Sequence, residues 1–142
     1  MRAAVLGELP ADLYIGAAAV ADYTPHAVAE NKIKKTGATL TLELVRTPDI
    51  LAEVAVHPLR PQLVVGFAAE THDVEHYARD KLARKRLDLI AANRVGTSEG
   101  GFESDDNTLV VYWADGMRQL GPAPKTGVAC DLLALISERI PA

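Results

Sequence analysis

Short apolar runs alternate with helix-like segments along this chain. Apolar runs at Leu13–Ile15, Leu63–Val65 and Leu87–Ala92, the last of which includes Asp88, predict β-strands, and the first is expected to be buried on both faces. Between the last two runs, apolar residues recur at helical spacing from about Val74 to Leu87. Because strands and helices of these lengths alternate, the pattern predicts an α/β fold with a mostly parallel sheet and flanking helices.

Further segments complete the predicted order of elements. Thr39–Val45 alternates polar and apolar residues, as a strand with one exposed face does. Thr47 is predicted to cap a helix that has Pro48 at its first position and Asp49 in its first turn. A helix is predicted at Met1–Leu9, and the helix after Thr47 is predicted to end at about Val56. A loop is predicted at Thr97–Asn107, next to a C-terminal β-hairpin of Leu109–Trp113 and Met117–Leu120. The last predicted helix is Val128–Ile140, and its apolar stripe is Val128, Leu132, Ile136 and Ile140.

The predicted helix after Val74 carries two cations on its apolar side. Its apolar arc consists of Val74, Tyr77, Ala78 and Leu82. Lys81 and Lys85 are four residues apart, so they share a face, and that face falls inside the arc. Two ammonium groups in this position either extend their tips to water or meet an anion, and the pattern leaves both readings open.

The stretch from Asp12 to Tyr23 is the one around which the predicted fold is organised. An apolar strand leads into Gly16, Ala17 and Ala18 and then to the polar Asp22. Small residues allow a ligand to approach the backbone, and the basic cluster Lys32–Lys35 that follows indicates an anionic ligand. The alternative is a core strand that packs closely on a helix and is followed by an exposed basic loop.

Three predicted strand ends point to one crevice. Gly16–Ala18, Gly66–Phe67 and Asn93 each follow an apolar run, and ligands of parallel α/β sheets bind beyond the carboxyl ends of the strands. A site at this edge of the sheet is therefore predicted.

Composition restricts the class of protein. A chain of 142 residues with 49% hydrophobic residues is long and apolar enough for one globular domain. A net charge of −4 argues against a general nucleic-acid binder. The chain has no apolar run of membrane-spanning length and no signal peptide pattern, and its single cysteine, Cys130, fits a reducing compartment. A cytoplasmic protein that binds neither membrane nor nucleic acid is therefore expected.

Two common nucleotide-binding motifs are absent from the sequence, which restricts the kinds of site that it can form. Neither the glycine fingerprint of dinucleotide-binding folds nor the phosphate-binding P-loop occurs. His57, His72 and His76 lie among charged residues with no metal-binding spacing, so we interpret them as surface groups. The residues alone predict an α/β domain with a site for an anionic small molecule.

Several longer segments together resemble one enzyme family. They are Gly16–Tyr23, Lys32–Lys35, Thr47–Ile50, Val65–Thr71, Lys81 with Lys85, Asp88–Asn93 and Asp105–Asn107, and they occur in this order over essentially the whole chain. The set resembles phosphopantothenoylcysteine synthetase, the phosphopantothenate–cysteine ligase of coenzyme A biosynthesis. The resemblance implies a Rossmann-like fold over residues 1–142, a single CTP-binding ligase domain and a homodimer.

The family reaction joins 4′-phosphopantothenate to cysteine. CTP, with Mg²⁺, activates the carboxylate as an acyl-cytidylate, which the cysteine amine then attacks. The resemblance implies that Lys32 is catalytic and reaches the phosphates and the acyl-cytidylate from a flexible flap. It also implies nucleotide-binding roles for Gly16, Ala17, Ala18, Asp22, Pro48, Asp49, Ile50, Leu51, Phe67, Lys81 and Lys85.

The chain also departs from the family pattern. The family's ligase domain opens with a strand, a Gly-rich turn and an Asn-x-Ser-Ser-Gly segment, and none of these occurs here. The chain is therefore expected to be the C-terminal part of the domain, with most CTP contacts but little or no ligase activity alone. The flavin-dependent decarboxylase of the bifunctional protein is expected elsewhere in the full-length polypeptide, so no flavin is expected here.

Two other readings remain open at this point. The chain could be a non-catalytic module that binds CTP or dimerises without turnover. It could also be a different Rossmann-like enzyme, such as a nicotinamide-dependent one, although the missing glycine fingerprint counts against that reading.

Overall fold

The computed structural model describes residues 1–35, 37–95 and 105–140, and these divide into two compact units. The larger unit consists of Met1–Ala17 and Ile50–Ala142, and the smaller unit is Ala18–Asp49. The elements in chain order are α1 (Arg2–Gly7), β1 (Leu13–Gly16), β2 (Tyr23–Pro25), β3 (Leu44–Arg46), α2 (Ile50–Ala55), β4 (Leu63–Glu70), α3 (Val74–Arg84), β5 (Leu89–Arg94), β6 (Asp106–Trp113), β7 (Gly116–Pro124) and α4 (Lys125–Ser137).

The larger unit contains a five-stranded sheet in the order β1-β4-β5-β6-β7. Strands β1, β4 and β5 run parallel, and the β6–β7 hairpin continues the sheet in the antiparallel direction. The α/β fold, the parallel strands and the C-terminal hairpin are thus confirmed. Strands β6 and β7 are longer than predicted. Of the predicted loop at Thr97–Asn107, residues 97–104 lie outside the described residues, whereas Asp106 and Asn107 open β6.

Helices cover both faces of this sheet. On one face, Val64 and Ala68 of β4 pack with Val54 of α2 and Leu82 of α3. On the other face, Leu63 and Val65 pack with Leu132 and Leu135 of α4. Successive side chains of a strand point to opposite faces, so a strand that is covered on both faces has a continuous apolar run. This explains why the run at Leu63–Val65 predicted a strand correctly.

Strand β1 forms where predicted, but the prediction that it is buried on both faces is wrong. All four of its residues are half-buried. Within the described part of the chain β1 lies at one end of the strand order, with β4 as its neighbour. An edge strand lacks the cover that a second neighbouring strand provides.

The predicted strand at Thr39–Val45 is mostly wrong. Only Leu44–Arg46 forms a strand, and it pairs antiparallel with the three-residue strand Tyr23–Pro25 in the smaller unit. A strand requires a hydrogen-bonding partner along its length. Because β2 has only three residues, its pairing with β3 is followed by one more backbone hydrogen bond, from the His26 amide to the Glu43 carbonyl at 2.9 Å, and residues 39–43 are not assigned to a strand.

Helix boundaries differ from the predictions by a few residues. The prediction that Thr47 caps α2 is wrong, because α2 begins at Ile50 and the Thr47 hydroxyl donates to the carbonyl oxygen of Ala21 at 2.6 Å. Helix α3 ends at Arg84, and α4 occupies Lys125–Ser137. Asp73 precedes α3 in a left-handed conformation and makes no side-chain cap hydrogen bond.

Side-chain hydrogen bonds join the starts of β4 and β5 and connect α1 with α2. The Asp88 carboxylate accepts hydrogen bonds from the Val64 amide at 2.6 Å and from the Arg60 guanidinium at 2.8 Å, which joins the starts of β4 and β5. Arg2 forms a two-point hydrogen bond with Glu53, with 2.6 Å between Arg2 Nε and Glu53 Oε2. This guanidinium lowers the pKa of the Glu53 carboxyl.

Candidate nucleotide site

The glycines of the predicted site are in contact with a side chain of α2. Gly16 of β1 and Gly66 of β4 lie opposite each other in the parallel register. A Cβ atom added at Gly16 would lie 3.1 Å from Leu51 Cδ1, and one added at Gly66 would lie 2.9 Å from Leu51 Cδ2 and 2.8 Å from Leu87 Cδ1. The space beside the two glycines is therefore filled by leucines, which agrees with the alternative of close helix packing.

Replacing Gly66 with alanine is expected to lower the free energy of unfolding by about 1–3 kcal/mol, because the new methyl group displaces Leu51 and the buried Leu87. Gly7→Ala is the matched control, since a Cβ atom there would meet nothing within 4 Å and alanine suits a helix. Denaturant titration of both variants measures the effect. Equal stability of the two variants would contradict the packing described here.

Lys81, in the last turn of α3, and Lys85, directly after this helix, are both half-buried. Ala78 and Leu82 are buried against the sheet, as the arc predicts, whereas Tyr77 is 37% exposed, so the arc is narrower than predicted. Lys81 Nζ donates a hydrogen bond to Glu70 Oε1 at 2.5 Å. Of the two predicted alternatives, Lys81 thus follows the second: it meets an anion, and that anion belongs to the protein.

Phe67 lies on the opposite face of the sheet from this helix. It packs with the cluster that α4 covers, whereas Leu51 packs with the cluster under α2 and α3. The structure therefore brings Gly16, Leu51 and Gly66 together on one face and places Phe67 on the other. Ala17, which follows β1, is exposed, and Ile50 is buried at the start of α2.

Five of the predicted site residues belong to the smaller unit, and all are exposed: Ala18, Asp22, Lys32, Pro48 and Asp49. None of the described residues of this unit is buried. The Asp22 carbonyl accepts a hydrogen bond from the Thr47 amide at 2.9 Å. Lys32 lies outside the two strands of the unit, in a stretch without helix or strand.

Strands β4 and β5 extend further toward their carboxyl ends than predicted. Gly66–Phe67 lies in the middle of β4, which continues to Glu70, and Asn93 lies within β5, which continues to Arg94. The prediction that these residues follow their strands is therefore wrong, because strand pairing carries β4 past the apolar run. Sequence reasoning did not single out Glu70, although it is the first charged residue after that run.

Other polar groups follow β4 directly. The Thr71 hydroxyl lies 3.0 Å from His72 Nδ1, and the His72 ring meets the edge of the Tyr77 ring with 5.4 Å between centroids. His72 and His76 are exposed, as predicted. The described residues contain no group of three or more His, Cys, Asp or Glu side chains that could hold a metal ion. No helix among them is long and apolar enough to cross a membrane.

A family model decides what the chain is related to. The model described as "DNA/pantothenate metabolism flavoprotein C-terminal domain" matches residues 1–140. The chain belongs to this family. It is 47% identical to the coenzyme A biosynthesis bifunctional protein CoaBC of Vibrio cholerae over 99% of its length, and 48% identical to that of Bacillus subtilis over 96%. The chain spans only 36% and 34% of these two relatives.

One solved structure supports the same family, and a second shows the same fold. The C-terminal domain of a coenzyme A biosynthesis bifunctional protein CoaBC superposes with a TM-score of 0.74 at 33% identity, covering 96% of this chain and 59% of that one. The DNA/pantothenate metabolism flavoprotein from Streptococcus pneumoniae has a TM-score of 0.69 at 20% identity, which shows the shared fold. The Rossmann-like α/β architecture is therefore that of this family's C-terminal domain.

Proposed function

We propose that this chain acts in coenzyme A biosynthesis as the CTP-binding part of a phosphopantothenate–cysteine ligase. The relatives that match it over nearly its whole length are named coenzyme A biosynthesis bifunctional proteins, which supports the pathway. The ligation itself, through an acyl-cytidylate formed from CTP and 4′-phosphopantothenate, rests on the resemblance of the motifs. A flavin decarboxylase domain in the full-length protein and a cytoplasmic location belong to the same proposal.

Within this proposal each residue group has a physical task. The backbone at Gly16–Ala18 lines the nucleotide site, and Asp22 contacts the cytidine part. The resemblance also gives Pro48–Leu51 and Phe67 the task of holding the nucleotide, although Leu51 and Phe67 lie on opposite faces of the sheet. Lys81 and Lys85 attract the triphosphate, and Lys32 reaches the reacting phosphates. Cations placed where charge develops lower the barrier when pyrophosphate leaves.

Magnesium fits this proposal as a companion of the nucleotide. Mg²⁺ commonly binds substrate phosphates and waters with only one or two protein carboxylates. The described residues provide no cluster of three or more metal-ligating side chains. We therefore propose that Mg²⁺ arrives with the triphosphate, where it supplies positive charge, and that the protein contributes lysines instead of a metal cage.

The observation that carries the proposal is that Lys81 of α3 and Lys85, the residue directly after this helix, are both half-buried. Two cations four residues apart can attract the charged oxygens of a polyphosphate. We expect calorimetric titration to show binding of CTP with Mg²⁺, selective over ATP, and we expect Lys81→Ala together with Lys85→Ala to weaken it by about 100-fold.

Arg84→Ala is the matched control for this experiment. Arg84 lies on the same helix, but its side chain is 62% exposed and pairs with Asp80 four residues earlier. Its loss removes one cation while leaving the sheet-facing side of α3 intact, so CTP affinity should change less than about threefold. If Arg84→Ala lost as much CTP affinity, the effect of the two lysines would come from the overall positive charge of this helix and not from a specific contact with the nucleotide.

The second candidate, a non-catalytic module that binds CTP or dimerises, is favoured by one observation on the smaller unit. Leu40, Leu42 and Leu44 are 65%, 58% and 52% exposed, and these three leucines, which alternate with polar residues in the sequence, are called the apolar row below. Exposed apolar side chains grouped in this way suit burial against a second copy of the chain. We propose a homodimer that buries this row, with or without catalysis.

Light scattering after size-exclusion chromatography tests the dimer. The chain is expected to have twice the mass of one copy, and the combined change Leu40→Lys and Leu42→Lys should convert it to monomers, because two buried charges oppose the interface. Val28→Lys is the control, since Val28 is 91% exposed and lies outside the row. A monomeric wild-type chain at high micromolar concentration would refute the dimer.

A further inference from the structure

An ion pair between α3 and the end of β4 involves one of the proposed nucleotide-binding lysines. Glu70 is the last residue of β4, and its carbonyl accepts a hydrogen bond from the Val95 amide at 2.9 Å, which fixes the backbone there. Strand alternation places the Glu70 side chain on the same face as Val64 and Ala68, under α3. Its carboxylate accepts a hydrogen bond from Lys81 Nζ at 2.5 Å.

This pair differs from two other ion pairs of the same helix. Arg79 with Glu75 and Arg84 with Asp80 join residues four apart on the helix surface. The Lys81–Glu70 pair instead connects the helix to the sheet. The Glu70 side chain is 18% exposed, whereas that of Glu75 is 60% exposed. Charges that are shielded from water interact more strongly with any third charge nearby.

The pair has a consequence for an incoming polyphosphate. A carboxylate held against the Lys81 ammonium neutralises the charge that would attract phosphate. A phosphate that approaches this ammonium also meets the negative charge of Glu70, and like charges side by side oppose binding. Lys81 can therefore serve a phosphate fully only when its hydrogen bond to Glu70 is given up.

We infer that Glu70 is an internal competitor of the nucleotide for Lys81. Without nucleotide, the Glu70 carboxylate holds the Lys81 ammonium in place, and on binding the ammonium exchanges this carboxylate for a phosphate oxygen. Glu70 thereby sets the affinity for polyphosphate and discourages weaker anions from occupying the site. This inference rests on the proposed CTP-binding function.

Glu70→Gln tests the exchange with a nearly isosteric side chain. The amide oxygen still accepts a hydrogen bond from Lys81, but the negative charge is gone. In calorimetric titration with CTP and Mg²⁺, the variant is expected to bind about tenfold more tightly than the wild-type chain. Glu75→Gln is the matched control, because it removes one negative charge from an exposed position of the same helix, and its affinity should equal that of the wild type.

A second measurement reports on the pair without any nucleotide. An amide holds an ammonium group less strongly than a carboxylate does, so in Glu70→Gln the Lys81 amine should leave the pair more often and react severalfold faster with an amine-acylating reagent. The exposed Lys125 serves as internal reference in the mass spectrum. Thermal unfolding of each variant verifies that it is folded.

The possible outcomes separate this inference from the proposed function. Weaker or unchanged CTP binding in Glu70→Gln would overturn the competition, as would an equal gain in Glu75→Gln. An unchanged acylation rate of Lys81 would also overturn it. A wild-type chain that is folded but binds no CTP would overturn the proposed function, and the role of Glu70 toward nucleotide with it.

Discussion

Replacing Lys32 with alanine is expected to reduce the ligation of 4′-phosphopantothenate to cysteine by about 100- to 1,000-fold, because the proposed role of this ammonium is to stabilise charge in the transition state. Lys32 is exposed and lies in a stretch without helix or strand, so its loss should leave stability unchanged. The assay measures pyrophosphate release and product formation by a polypeptide of full bifunctional length that carries this sequence.

Lys35→Ala is the control for that experiment. Lys35 belongs to the same exposed basic cluster but matches no proposed catalytic role, and its loss should change the rate less than about threefold. Equal losses in the two variants would indicate a general electrostatic effect of the cluster. Full ligation activity in Lys32→Ala would exclude Lys32 from the mechanism. The interpretation that this segment has no catalytic role would then be favoured.

Replacing Leu135 with alanine is expected to lower the free energy of unfolding by about 2–5 kcal/mol. Leu135 is 0% exposed and packs in the cluster between α4 and the sheet. Truncation removes apolar contacts and leaves a cavity that neighbouring side chains fill only in part. For a domain of ordinary stability this is a large fraction of the total. Urea titration followed by circular dichroism measures it.

Leu133 provides the comparison within the same helix. It lies two residues away and is 54% exposed, so Leu133→Ala should change the free energy of unfolding by less than about 0.5 kcal/mol. Similar losses in the two variants would mean that α4 packs on the sheet with a different face from the one described.

The apolar stripe predicted for α4 shows why such a comparison needs the structure. Val128, Leu132 and Ile136 are buried, as the spacing indicates. Leu135 is buried as well and Leu133 is not, although both are leucines in an apolar helix. Spacing defines the centre of a buried face, whereas the width of that face depends on how the sheet beneath it is shaped.

The candidate site could be predicted only in part for a related reason. The position of Lys81 on the sheet-facing side of α3 follows from helical periodicity, which is local. Its partner Glu70 is eleven residues earlier and on another element, so only the packing of α3 on β4 brings the two together. In the same way, tertiary packing brings Leu51 against Gly16 and Gly66, and no local sequence pattern predicts these contacts.

The sequence by itself determined the order of the main strands and helices, because apolar runs and helical spacing reflect which faces must leave water. It also carried the motifs that predicted the family. Tertiary structure alone decided how far each strand extends, since a strand persists only where a partner supplies hydrogen bonds. For this reason β4 continues to Glu70, while Thr39–Glu43 forms no strand despite its alternating pattern.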